Sequence, residues 1–218
     1  MTSEQPKNQQ VADPRSSTVS FVTTEHFTLQ GARSATTAES TGRASIFLMS
    51  VSGGLVAWGL FATAESLRDA FLAFGLVLLP TLAFIGLVTY ERVLQSGVED
   101  LGYARRIARL RAYYFDNAPE VGPYLLSVPP DERLHVQGLR AGFGQGFRTI
   151  AGMVAVITAV LAGSEVGLAV QTAFDAPAVA LATGIVGALV SLVILMRYQL
   201  NVWARALATP ITDDAASV

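Results

Sequence analysis

Apolar residues in this chain gather into four long runs separated by polar segments. The runs cover residues 44–64 (ASIFLMSVSGGLVAWGLFATA), 70–90 (AFLAFGLVLLPTLAFIGLVTY), about 149–170, and 177–196. A helix rises about 1.5 Å per residue, so roughly 20 apolar residues cross a hydrocarbon core of about 30 Å. Each run reaches that length, and none carries a charge near its middle, unlike the shorter core helices of soluble bundles. The turns ESLRD and QTAFDA join them in pairs. The pattern therefore predicts an all-α polytopic membrane protein. Its four transmembrane helices form two hairpins, 44–90 and 149–197, with a cytoplasmic helical hairpin between them. Asp175 followed by Pro177 suits the start of the fourth helix, since an acid caps free amides and proline fits the first turn.

The polar segments differ among themselves. Residues 1–18 hold few apolar side chains to offset ordering entropy and are expected to be disordered. Residues 19–43, with Phe21, Val22, Phe27 and Leu29 ahead of an Ala/Ser/Thr-rich stretch, are expected to form a cytoplasmic or interfacial helix, weakened by Gly31 and the threonines. Beyond Tyr90, the residues Leu94, Val98, Leu101, Ala104 and Ala108 recur every three or four positions, so the second helix should continue as a cytoplasmic arm. NAPEVGP stops it, and a second helix from PPDE returns toward GFGQGF, completing a hairpin over 91–148. Residues 198–218 form a cytoplasmic tail.

Composition sharpens this picture. The chain is 51% apolar and only 15% charged and contains no cysteine, with a mean hydropathy of +0.45. Disulfides, thiolate zinc sites and thiol nucleophiles are thereby excluded. A formal charge of -2 removes the basic field that nucleic-acid binding requires, so no nucleic-acid partner is expected. Of the 15 basic residues, only Arg68 falls in the two short turns. Basic residues favour the cytoplasmic side of spans, so both termini and the central loop should lie there, in the inner or plasma membrane. The first 43 residues are polar, so the first span is expected to act as an uncleaved anchor. Arg43 and Arg148 at span entrances, with Arg92 and Arg197 at exits, also fit a duplicated hairpin.

Candidate chemistry is sparse. Arg105, Arg106, Arg109 and Arg111 cluster on the arm and are candidates for contact with anionic lipid or a ligand. Glu65, Asp69, Glu165 and Asp175 fall on the outer side and are candidates for the mouth of a pore that favours cations. Small residues mark helix packing in lipid: Gly54 on the first span, Ala155, Ala159 and Gly163 on the third, Gly184 and Gly187 on the fourth. Pro80 should kink the second span, with Thr81 placed to satisfy a freed carbonyl, and Gly142, Gly144 and Gly146 should form a hinge. His26 and His135, the only histidines, lie far apart, and no HExxH or GxSxG pattern occurs. No catalytic residue, metal or cofactor is expected.

The stretches TTEHFTLQGARSATTAESTGRASIFL and GYARRIARLRAYYF resemble uncharacterised small four-span integral membrane proteins of high-GC bacteria, a resemblance that implies no activity. The arrangement of a cytoplasmic helix before paired membrane helices also looks like the SLATT class of predicted pore-forming effectors. The expected function is a non-enzymatic membrane scaffold or sensor that uses its cytoplasmic hairpin. The alternative is an oligomeric pore or cation channel. The expected partners are the lipid bilayer, a second copy of the chain and a cytoplasmic protein.

Overall fold

In the computed structural model, residues 14–62, 68–120 and 149–209 are described. They hold four helices: α1 (Pro14–Phe61), α2 (Arg68–Asn117), α3 (Ile150–Phe174) and α4 (Pro177–Ala208). All four are long and apolar enough to cross a membrane. The expected hairpin partner over 121–148, with Gly142, Gly144, Gly146 and His135, lies outside the described residues, as does Glu65.

The first two helices are longer than their apolar runs. α1 continues unbroken for 48 residues, so the expected division at residue 43 falls inside one helix, whose start at Pro14 lies within the stretch expected to be disordered. α2 continues for 50 residues, through Pro80 and past Tyr90. Threonines do not break α1, because their hydroxyls turn back on their own helix. Thr24 donates to the Ser20 carbonyl, Thr28 to that of Thr24 and Thr41 to that of Thr37, which satisfies the side chain without taking a backbone donor. Gly31 meets nothing within 4 Å of a would-be Cβ, so it costs helix propensity alone. Tertiary packing overrides that cost: Leu29, Thr36, Ser40, Ala44, Phe47 and Val51 are buried along one side of α1, a spacing of three, four or seven that suits a helix-on-helix seam.

The α1–α2 seam runs antiparallel from end to end. A Cβ on Gly54 would touch Leu78 and Leu82, one on Gly86 would meet Phe47, and Arg33 reaches Asp100. At Pro80 the Leu76 carbonyl loses its usual amide donor. The Thr81 hydroxyl donates to the next carbonyl, that of Val77, at 2.7 Å.

α3 and α4 are joined more tightly. Asp175 closes α3 in the left-handed region, φ 47 and ψ 42, with its amide on the Gln171 carbonyl. It therefore ends α3 instead of capping α4, whose start is Ala176 with Pro177 in its first turn and no side-chain cap. Asp is among the few residues that tolerate this conformation. A Cβ on Gly163 would collide with the Gly184 carbonyl and stand 2.6 Å from the Ala188 amide nitrogen. A Cβ on Gly167 would stand 2.9 Å from the Ala180 carbonyl oxygen.

The helices pack in chain order, α1 on α2, α2 on α3 and α3 on α4, while α1 and α4 make no substantial contact. This is a row with α2 and α3 inside, and not a closed bundle. Its core holds Phe47, Leu79, Tyr90 and Val154, all essentially fully buried. Two glycines notch α2 so that both neighbours approach it. Gly75 faces Trp58 of α1 and Leu168 of α3, and Gly86 faces Phe47 of α1 and Thr158 of α3.

Candidate functional site

The open order of the row leaves a gap where α1 and α4 do not meet. At the end of the structure that holds the start of α3 and the end of α4, this gap is a cavity of about 220 Å³. α1 contributes Thr36, Thr37 and Ser40, α2 contributes Ser96, Gly97 and Asp100, α3 its first residues, and α4 contributes Trp203. Three of the buried polar residues, Thr36, Ser40 and Ser96, line it. A fourth, Gln199, donates to Thr149 on its wall at 3.4 Å. Burying polar groups costs free energy unless they are bonded, so their concentration here marks a place set apart from the apolar core.

Most of these groups are spoken for. Thr36 and Thr37 both donate to the Arg33 carbonyl, at 2.8 and 3.2 Å, and Ser96 donates to the Arg92 carbonyl at 3.0 Å. Thr149 is the N-cap of α3 and accepts from the Gly152 amide at 3.0 Å. Asp100 accepts two bonds from Arg33, Nε to Oδ1 at 2.6 Å and Nη2 to Oδ2 at 3.1 Å. This fork geometry fixes direction as well as charge. Ser40, 7% exposed, adds a further hydroxyl to the lining.

Around this cavity the charged residues tie the helices together. Glu39 accepts from Arg43 of its own helix at 2.8 Å and from Arg92 of α2 at 3.2 Å. The Arg43 hydrogen bond, followed by the Arg92 contact, holds its carboxyl below the usual carboxylate range. Tyr90 donates to the Leu195 carbonyl of α4 at 2.6 Å. Arg105 reaches the end of α4, bonding the Ala206, Leu207 and Thr209 carbonyls at 2.9, 3.2 and 3.3 Å. These last carbonyls have no helical donor and carry the negative end of the helix dipole, so a guanidinium satisfies both.

The arginine cluster is thus divided among different tasks. Arg105 caps α4, Arg111 lies close enough to His26 to disfavour its protonation, and Arg109 faces outward. Arg105 stands fifteen residues beyond Tyr90, about 22 Å along the helix.

Among the described residues, the outer acids differ in their surroundings. Asp175 pairs with Arg68 at 3.3 Å in an exposed contact and accepts from Gln171 at 2.8 Å. Asp69 begins α2 beside that pair. Glu165 stands ten residues before Asp175, on the register of Thr158, Leu161 and Leu168 that faces α2. The small residues are used inside the chain: Ala155 and Ala159 are buried, Gly54 receives Leu78, and Gly163, Gly184 and Gly187 form the α3–α4 contact. Among the described residues, no three His, Asp or Glu side chains converge as a metal site would need.

The periodicity of 91–117 and the small residues pointed at real contacts, but the cavity was missed. Its lining comes from four separated segments, and the one local signal was Thr36 and Ser40 spaced as a helix seam. No family model matches the chain, and neither a curated protein nor a solved structure matches it.

Proposed function

We propose that the protein is a four-span membrane scaffold or sensor in which the outer halves of α1 and α2 form a two-helix cytoplasmic stalk. It acts without catalysis by docking a cytoplasmic protein. One observation carries this reading: α1 and α2 each pass without a break from an apolar span into a polar segment, where the forked Arg33–Asp100 pair clamps them. A helix transmits displacement along its axis, so a partner bound on the stalk would move the spans. The sorting of basic residues supports the cytoplasmic side, and Phe21 and Phe27, 74% and 69% exposed on the stalk, offer aromatic anchors of the kind that dominate protein contacts. An oligomeric cation channel has less support, because the small-residue faces are consumed within the chain and Asp175 is paired with Arg68.

The chain lacks cysteine, so single introduced thiols report topology cleanly. A Thr24→Cys variant should react with an impermeant maleimide only from the cytoplasmic face, and an Asp69→Cys variant only from outside. A photoreactive residue in place of Phe27 should then give one discrete protein adduct in native membranes, lost when Phe21→Ser is added. Labelling of both sites from one face, or adducts to lipid alone, would overturn the reading.

A further inference from the structure

We propose that the cavity at the root of the stalk binds a small organic ammonium, a protonated amine that carries a ring-sized apolar group. Size sets the first limit. A cavity of about 150 Å³ holds benzene, so about 220 Å³ leaves room for such a ring with a short charged arm. The wall sets the chemistry. Val93, Leu94 and Ile150 supply an apolar side, as small-molecule sites generally do.

The smaller, polar part of the wall is made of acceptors. Thr36, Thr37 and Ser96 have committed their hydroxyl protons to helix carbonyls, so toward the cavity they offer only lone pairs. Asp100 lines the cavity while Arg33 does not. A guest therefore meets the carboxylate, whose oxygens each keep a lone pair beyond the one Arg33 uses. Ser40 adds a further hydroxyl to this wall, able to accept from a bound donor. Trp203 completes the site with an indole, the best aromatic surface for a cation. Gly97 leaves room for it, since a Cβ there would stand 3.3 Å from the Trp203 ring. An ammonium satisfies the hydroxyls, the carboxylate and the ring together.

Occupancy would brace α1, α2 and α4 at one point. This deepens the sensor reading, but binding is measured on the purified full chain and succeeds or fails apart from any docking partner. The assay uses a Trp58→Phe background, which leaves Trp203 as the only tryptophan, and three probes of one shape: phenethylamine, 2-phenylethanol and phenylacetate. Phenethylamine should change Trp203 emission saturably, with the alcohol at least about tenfold weaker, which is ~1.4 kcal/mol, and phenylacetate inactive. Asp100→Asn should abolish the preference for the amine over the alcohol. Gly97→Leu, which adds a side chain against Trp203 on the cavity wall, should abolish binding of every probe while the melting curve stays cooperative. Three results would overturn the proposal. One is equal response to all three probes. Another is phenylacetate binding as well as the amine, held by the first open amides of α3. The third is no saturable signal from the amine.

Discussion

The stalk half of the α1–α2 seam and the α3–α4 seam hold helices together by different means. Between α3 and α4 backbone meets backbone, Gly163 against the Gly184 carbonyl and Gly167 against that of Ala180. Between the outer halves of α1 and α2, contact is made by side chains: Arg33 with Asp100, Glu39 with Arg92, Leu29 and Ile107 buried nearby. Apolar burial gives helices no reason to associate where lipid surrounds them, so close backbone approach must supply the attraction. Beside water, burial and ion pairs both contribute and glycine has no advantage. The same chain thus uses shape along its apolar α3–α4 seam and charge along the polar part of its α1–α2 seam.

The hardest test of that difference is steric. Gly163→Leu places atoms where the Gly184 carbonyl and the Ala188 amide already stand, and backbone cannot rotate away as a side chain can. The variant should lose about 3 kcal/mol or fail to fold, at the upper end of overpacking costs. Thermal melting in detergent, or the dodecyl sulfate concentration that unfolds the chain, reads this out. The matching change on the stalk, Gly31→Leu, meets open space. It should be neutral or raise stability by about 0.5–1 kcal/mol, because a good helix former replaces glycine in a helix interior. Equal losses at both sites would erase the contrast.

The middle test is electrostatic. Arg33 and Asp100 side chains are 29% and 30% exposed, so solvent screens their pair substantially. A double-mutant cycle with Arg33→Ala and Asp100→Ala should give a coupling of about 0.5–1 kcal/mol at low salt. That coupling should shrink as ionic strength rises and the Debye length falls from about 30 Å toward about 3 Å. The loss in Gly163→Leu, being steric, should not change with salt. A salt-dependent Gly163 effect, or a salt-blind Arg33–Asp100 coupling, would mean that the two seams are not different in kind.

The long apolar runs announced the four helices because that signal is local: twenty residues without charge have few other uses. Gly163, Gly184 and Gly187 were legible for a similar reason, since small residues three or four apart mark a close helix contact. Gly75 and Gly86 on α2 were missed. They stand eleven positions apart with large side chains between them, and only the neighbours on both sides show why neither has room for a Cβ. The continuity of α1 was hidden by its threonines, which read as helix-weakening until their carbonyl partners are seen. Arg33 and Asp100 stand 67 residues apart, and no periodicity connects them. The cavity depends on α1 and α4 failing to meet, a property of helix order in space that one chain's pattern does not encode. Asp175 followed a sound rule for helix starts, yet the left-handed turn made it the end of the preceding helix.

The gentlest test uses protons. His26 lies on the stalk, and burial, followed by the nearby Arg111, pushes its pKa below the ordinary imidazole value of 6.5. Its Nδ1 is buried without a partner among the described residues, while Nε2 meets Gln30 at 3.3 Å. The unfolded chain therefore binds the proton more readily than the folded one. Stability is complete above the ordinary value and declines as pH falls through it toward the lowered one. Glu39, held low by Arg43 and then Arg92, contributes stability that is lost only further down, in the carboxylate range. The two windows separate, so the decline from about pH 7.5 to about pH 5.5 belongs to His26. His26→Gln, which keeps a polar side chain but cannot titrate, should flatten that part of the melting profile and leave the acid limb in place. The effect should be smaller than the salt effect on Arg33–Asp100, because His26 is largely in water's reach. Placing the same measurement on Gly163→Leu separates the seams once more: its deficit should keep the same pH profile as the parent chain, since nothing that titrates touches the α3–α4 contact at Gly163.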